Sequence, residues 1–153
     1  MNAIDFLLNE HTTHRELLDQ VEQDPSTWDV LRKEIIHHVN IEEAILYPNL
    51  LKVKVLENIV REAWEEHSLC MQLVQEMDDP EISAESWSAK FKTLKKLLLS
   101  HLDDEEERLF PKIRSLASEE FLNDVGEQMV VHKVATPTEN IIYPDVPDSH
   151  KLV

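Results

Sequence analysis

The chain holds a single glycine, Gly126, in 153 residues. A β-rich domain built on tight turns needs many more, because glycine supplies positive-φ positions at no steric cost. Set against the Leu, Glu, Lys and Ala of the central segments, that deficit favours helix. Cysteine is equally scarce, with Cys70 alone. This excludes an internal disulfide and any multi-thiolate metal site. No apolar run approaches the ~20 residues of a membrane span. The first residues lack the basic start and apolar stretch of a signal peptide, so the expected location is cytoplasmic. Basic residues are also short, 15 Lys and Arg against 31 Asp and Glu, for a formal net charge of −16. A surface of that sign repels nucleic acid and anionic membranes, and neither is an expected partner.

The length suits one domain with a core large enough to need no staples. Asn2 is placed to cap a first helix through Val21, which Pro25 ends. Ser26 or Thr27 opens a second, with Pro48 expected to kink or stop it. A third runs from about Val53 to about Met77. Asp78-Asp79-Pro80 is a turn, and Ser83 or Ser86 caps a fourth helix running to Pro111. Apolar residues recur at helical spacing in each. The expected fold is all-α: an up-and-down four-helix bundle over residues 1–116. A short extra helix over 117–135, weakened at Gly126, packs on the bundle. An extended Pro-rich tail follows over 136–153.

One pattern occurs twice. His38-Val39-Asn40-Ile41-Glu42-Glu43 runs on to Leu46-Tyr47-Pro48, and His101-Leu102-Asp103-Asp104-Glu105-Glu106 runs on to Leu109-Phe110-Pro111. Four residues advance a helix by about one turn, so each copy stacks an imidazole and a carboxylate on one face. The echo extends upstream, where Glu10-His11 precedes the first copy and Glu66-His67 the second. The chain thus reads as two αα-hairpins, each offering a lone His and then a His-x-x-x-Glu pair. The candidate metal ligands are His11, His38, Glu42, His67, His101 and Glu105. Imidazole with carboxylate suits iron, manganese or zinc. One carboxylate per hairpin fits a binuclear site better than two isolated ones.

The remaining candidates have plainer readings. A lone His on a helix is more often structural than a ligand, and a single His-x-x-x-Glu pair arises by chance on acidic helices. It is the repetition that carries the metal reading. His37 has no counterpart in the second copy and is expected at the surface, as are His132 and His150. His14, matched by Cys70 in the second hairpin, is a candidate extra ligand. Glu43 and Glu106 point about 100° away from the proposed ligands, toward solvent or behind them. Tyr47 and Phe110 read as packing at the bundle end. The order of the pairs, His before Glu, differs from the Glu-x-x-His of ferritin-like bundles.

Lone His, His-x-x-x-Glu, lone His, His-x-x-x-Glu, with Leu-Tyr-Pro and Leu-Phe-Pro endings, resembles the hemerythrin-like (HHE cation-binding) family over roughly residues 2–116. The resemblance implies a four-helix bundle around two iron ions, oxo-, hydroxo- or water-bridged. Glu42 and Glu105 would bridge them, with His11, His38, His67 and His101 as terminal ligands. Members of the family bind dioxygen, sense oxygen or iron, or act in nitric-oxide responses and iron–sulfur repair. The oxygen carriers have a further His one turn before the lone His of the third helix; here that position is Ala63. Fewer protein ligands leave open positions on the metals.

The expected function is therefore a non-haem di-iron protein that binds or senses dioxygen or nitric oxide. The alternatives are a di-iron enzyme or iron donor (peroxidase or oxidase, nitric-oxide response, iron–sulfur repair) and a metal-regulated interaction module. The tail 136–153 is the candidate surface for a homodimer or a protein partner.

Overall fold

The computed structural model describes residues 1–136, and the expected tail lies outside them apart from Thr136. The described residues are helical without a strand. Helix α1 spans Ala3–Gln23, opened by Asn2, whose side chain accepts the Asp5 N–H at 2.9 Å. A 3₁₀ turn at Pro25–Thr27 leads into α2, Trp28–Ile41. A wide π turn, Glu42–Leu46, carries the rod on into α3, Tyr47–Leu50. After a second 3₁₀ turn, Lys54–Leu56, α4 spans Glu57–Met77. Ser83 caps α5, Ala84–Asp104, which continues through a π turn, Glu105–Leu109, into α6, Phe110–Leu116. Ser118 caps α7, Glu119–Ala135, which packs on α1 and α2.

The prolines do not stop the long rods. Proline has no N–H to donate, and its ring presses on the carbonyl four residues back. Both rods meet this by widening the turn just ahead of Pro48 and Pro111. The Tyr47 N–H donates to the Glu42 carbonyl and the Phe110 N–H to the Glu105 carbonyl, five residues away in each case. Turns of this kind are rare and concentrate at functional sites. Here each begins at the first Glu of a repeat.

Gly126 does not weaken α7, which runs through it without a break. It is the seat on which the start of α1 rests. A Cβ there would meet the Met1 carbonyl oxygen at 2.2 Å and the Ala3 nitrogen at 2.8 Å.

The apolar interior falls into two blocks. One gathers Ile4, Leu7, Leu46, Val60, Ile113 and Met129, among others, toward one end of the bundle. The second gathers Leu18, Leu31, Ile35, Val74, Phe91 and Leu94 toward the opposite end. Between them, in sequence and in space, lies a buried layer of polar side chains: Glu10, His11, His14, His37, His38, Glu42, His67, His101 and Glu105. A bundle of this size does not gain stability by burying so many polar groups without partners. What this layer does explains the fold.

Candidate metal centre

The six residues of the duplicated pattern converge. Each is 2 % exposed or less. The ligand atoms of His11, His38 and Glu105 all lie within 4.8 Å of one another, and those of Glu42, His67 and His101 do likewise. Each group takes its two imidazoles from one hairpin and its carboxylate from the other. The carboxylates also face both groups. Glu42 Oε1 lies 2.8 Å from His38 Nε2 and 3.2 Å from His67 Nε2. Glu105 Oε1 lies 3.2 Å from His11 Nε2 and 3.4 Å from His101 Nε2. Each inner carboxylate thus has an imidazole of either hairpin beside it.

Behind each imidazole stands a second carboxylate. The Nδ1 atoms of His11 and His67 meet Glu106 at 2.7 Å and Glu43 at 2.8 Å. Those of His38 and His101 meet Glu10 at 3.1 Å and Glu66 at 3.2 Å. Thus the second Glu of each repeat crosses to the lone His of the other hairpin. The Glu preceding each lone His stays within its own hairpin. A carboxylate only accepts, so each Nδ1 carries the proton and each Nε2 turns inward. Such partners fix the orientation of a metal-binding imidazole and raise its basicity.

The inner atoms are left with nothing to bond. His11 Nε2, His38 Nε2, both Glu42 oxygens and Glu105 Oε1 are buried without a hydrogen-bond partner. Neutral Nε2 lone pairs facing carboxylate lone pairs at about 3 Å repel one another unless a cation sits among them. Without metal, protons must serve. Burial opposes charge on His38, yet Glu42 and Glu10 push its pKa up to about 10. His67 and His101 are also raised against the effect of burial, His67 by the nearby carboxylates of Glu42 and Glu43 and His101 first by that of Glu105. Burial works against ionisation of Glu42, but His38 leads the groups that hold it well below the usual carboxylate range. The donor set, four nitrogens and two carboxylates without a thiolate, fits iron, manganese or zinc.

Comparison with known proteins agrees. The Hemerythrin HHE cation binding domain family matches residues 2–113, a stretch that contains all six residues. The chain belongs to the hemerythrin HHE cation-binding domain family. It is also similar to a solved structure, the crystal structure of a hemerythrin HHE cation binding domain-containing protein, an Rv2633c homolog from Mycobacterium kansasii. The TM-score is 0.73 at 22 % identity, covering 88 % of this chain and 86 % of that one. At that identity the likeness is one of fold. No curated protein matches the chain.

Within this HHE domain the two hairpins also repeat their aromatic contacts. Tyr47 stacks on His67 at 5.2 Å and 26°, and Phe110 on His11 at 5.5 Å and 25°. Their hydroxyl marks the difference. The buried Tyr47 O–H donates to Glu105 Oε2 at 2.9 Å and lies 3.3 Å from His67 Nε2. The sequence reading as packing therefore understates Tyr47. In a regular α-helix a residue five positions after Glu42 points about 140° away from it. The π turn cancels most of that rotation and brings Tyr47 back to the ligand face. The signal was the proline that follows it.

Two further histidines depart from or extend the expectation. His37 is buried, not exposed, because α7 covers that side of α2. His14 is fully buried, with both ring nitrogens unpartnered and its ring edge-on to His38 at 4.8 Å. Burial, with His38 next, pushes its pKa well down, which leaves it neutral. It stands outside both three-residue groups. Cys70, its counterpart, is a buried thiol whose pKa burial pushes up to about 11. His132 is half-buried, and His150 lies outside the described residues. Ala63 lines a narrow cleft with Ile59, Glu62, Glu66, Asp104 and Arg108 that reaches Glu105 from the surface.

Proposed function

We propose that this HHE domain is a non-haem di-iron protein that binds or senses dioxygen or nitric oxide at a carboxylate-bridged metal pair. His11, His38, His67 and His101 would be terminal ligands through Nε2, with Glu42 and Glu105 as bridges. The observation that carries the reading is the placement of each inner carboxylate between imidazoles of both hairpins, with buried acceptor atoms left unpartnered. Iron bound there would supply reducing electrons and open coordination positions. The chain's own part is to exclude bulk water with two apolar blocks, hold the imidazoles through Nδ1, and admit a diatomic molecule through the cleft at Ala63.

Anaerobic loading with ferrous iron should give two ions per chain by elemental analysis. Admission of air or nitric oxide should then produce charge-transfer bands in the near-ultraviolet and visible. A protein that retains less than one ion, or stays colourless, would defeat the proposal. The reading as an enzyme or iron donor draws on a different feature: two imidazoles and two bridging carboxylates per ion would leave positions for exchange. Sustained peroxide or nitric-oxide turnover, or transfer of iron to an apo acceptor protein, would favour that reading over reversible binding.

A further inference from the structure

The inner layer is near-symmetric, but what lies behind it is not. On the side of His11 and His38, each orienting carboxylate is also held by a cation. Arg15 meets Glu106 at 2.8 Å, and Lys133 ion-pairs with Glu10. On the side of His67 and His101, Glu43 and Glu66 have no Lys or Arg within ion-pair distance among the described residues. Lys133 comes from α7, beyond the stretch matched by the HHE family. It is brought in by the docking of α7 on α1.

The sign of the effect follows from charge. An anionic carboxylate behind Nδ1 makes Nε2 a stronger donor and offsets positive charge on a bound ion. A cation on that carboxylate withdraws the benefit and itself repels the ion. Glu10 is buried and its carboxylate stands between His38 Nδ1 and the Lys133 ammonium. Asp103 and Glu34 also touch Arg15 and Lys133, at 3.0 Å and 3.5 Å. Asp103 is 61 % exposed, where water screens it, and the half-buried Glu34 lies farther from Lys133 than Glu10 does.

Resting on the di-metal reading above, we propose that the two metal positions are unequal. The His67–His101 position is the tighter, and Arg15 and Lys133 set the His11–His38 position as the weaker, exchangeable one. The fold thereby gives α7 a hand on the metal centre through one ammonium group.

The test is an anaerobic titration of the metal-free protein with cobalt(II), followed by d–d absorbance and calorimetry. Two dissociation constants at least about tenfold apart are expected, the usual scale of such outer-shell effects. His38→Ala should keep the tight constant, and His67→Ala should keep the weak one. Lys133→Met and Arg15→Met should each tighten the weak constant several-fold and leave the other alone. Lys95→Met, at a surface ion pair with Asp19 far from the layer, should change neither. Glu66→Gln should weaken the tight constant, which keeps the proposal testable if the α7 variant folds poorly by circular dichroism. Two equal constants, a tight site lost with His38, or a gap unmoved by both cation variants would overturn the proposal. No cobalt binding at all would instead overturn the di-metal reading on which it rests.

Discussion

His67 and His101 bring their Nε2 atoms to 3.1 Å of each other across α4 and α5. With both Nδ1 protons committed to Glu43 and Glu66, two inward lone pairs share one small space. Something positive must lie between them. Short of metal a proton can serve: neighbouring carboxylates push His38 up to about 10 and raise His67 and His101 as well. Metal must displace those protons. Loading at pH 7 in weak buffer should therefore acidify the solution, read with an indicator dye. The apparent affinity should rise with pH as the raised values are approached. Loading without proton release would mean that the layer is not the site.

Tyr47 gives its hydroxyl proton to Glu105 in the middle of the layer, where Phe110 at the matching place gives nothing. Tyr47→Phe makes the two hairpins alike. The hydrogen bond to a buried charged acceptor is worth about 1.5–3 kcal/mol. Urea unfolding of the metal-free variant should show a loss of that order. Metal stoichiometry should remain at the wild-type value, while the charge-transfer spectrum shifts. Unchanged stability and spectrum together would return Tyr47 to a packing role.

Gly126→Ala in an exposed helix would ordinarily gain about 0.5–1 kcal/mol. Here the sign reverses, because the new methyl meets the backbone of Met1 and Ala3. We expect a loss of about 1–3 kcal/mol from overpacking, seen as a lower Tm. A rise in Tm would show that the start of α1 gives way freely.

Cys70 is a buried acid whose ionisation burial opposes, from an ordinary value of 9.0 to about 11. Up to pH 9 the shift costs nothing. Between pH 9 and 11 the unfolded chain releases a proton that the folded one keeps, so stability falls by about 1.4 kcal/mol per pH unit from this group. Cys70→Ala, compared with wild type at pH 8 and pH 10 by urea titration, should lack that increment. The native thiol should also resist alkylation at pH 8 and react on unfolding. Rapid alkylation of the folded protein would contradict the burial.

Much of the architecture was readable because helical periodicity and caps are local properties. Asn2 and Ser83 cap where their side chains can reach the backbone, and the duplicated spacing puts six ligand-type side chains on facing surfaces. The misses share a physical origin in non-local or irregular geometry. Tyr47 needed the π turn to swing it inward. His37 needed the knowledge that α7 lies over α2. Gly126 reads as a weak point in one helix and is in fact a contact between two. From sequence alone Glu43 and Glu106 read as solvated or standing behind the ligands. Only the packing of the hairpins shows that each reaches the lone His of the other.

The exchange of carboxylates between hairpins carries a consequence for how the molecule is assembled. His11 and His38 find Glu105 only across the interface, and His67 and His101 find Glu42 in the same way. Neither half can finish a coordination set by itself, so a nascent first hairpin emerging in synthesis offers no closed cage to any passing ion. On the proposed ligand set, capture would wait until residues 101 to 105 have been made and the halves have met. On that same set, loosening the seam between the two hairpins would break both coordination sets at once.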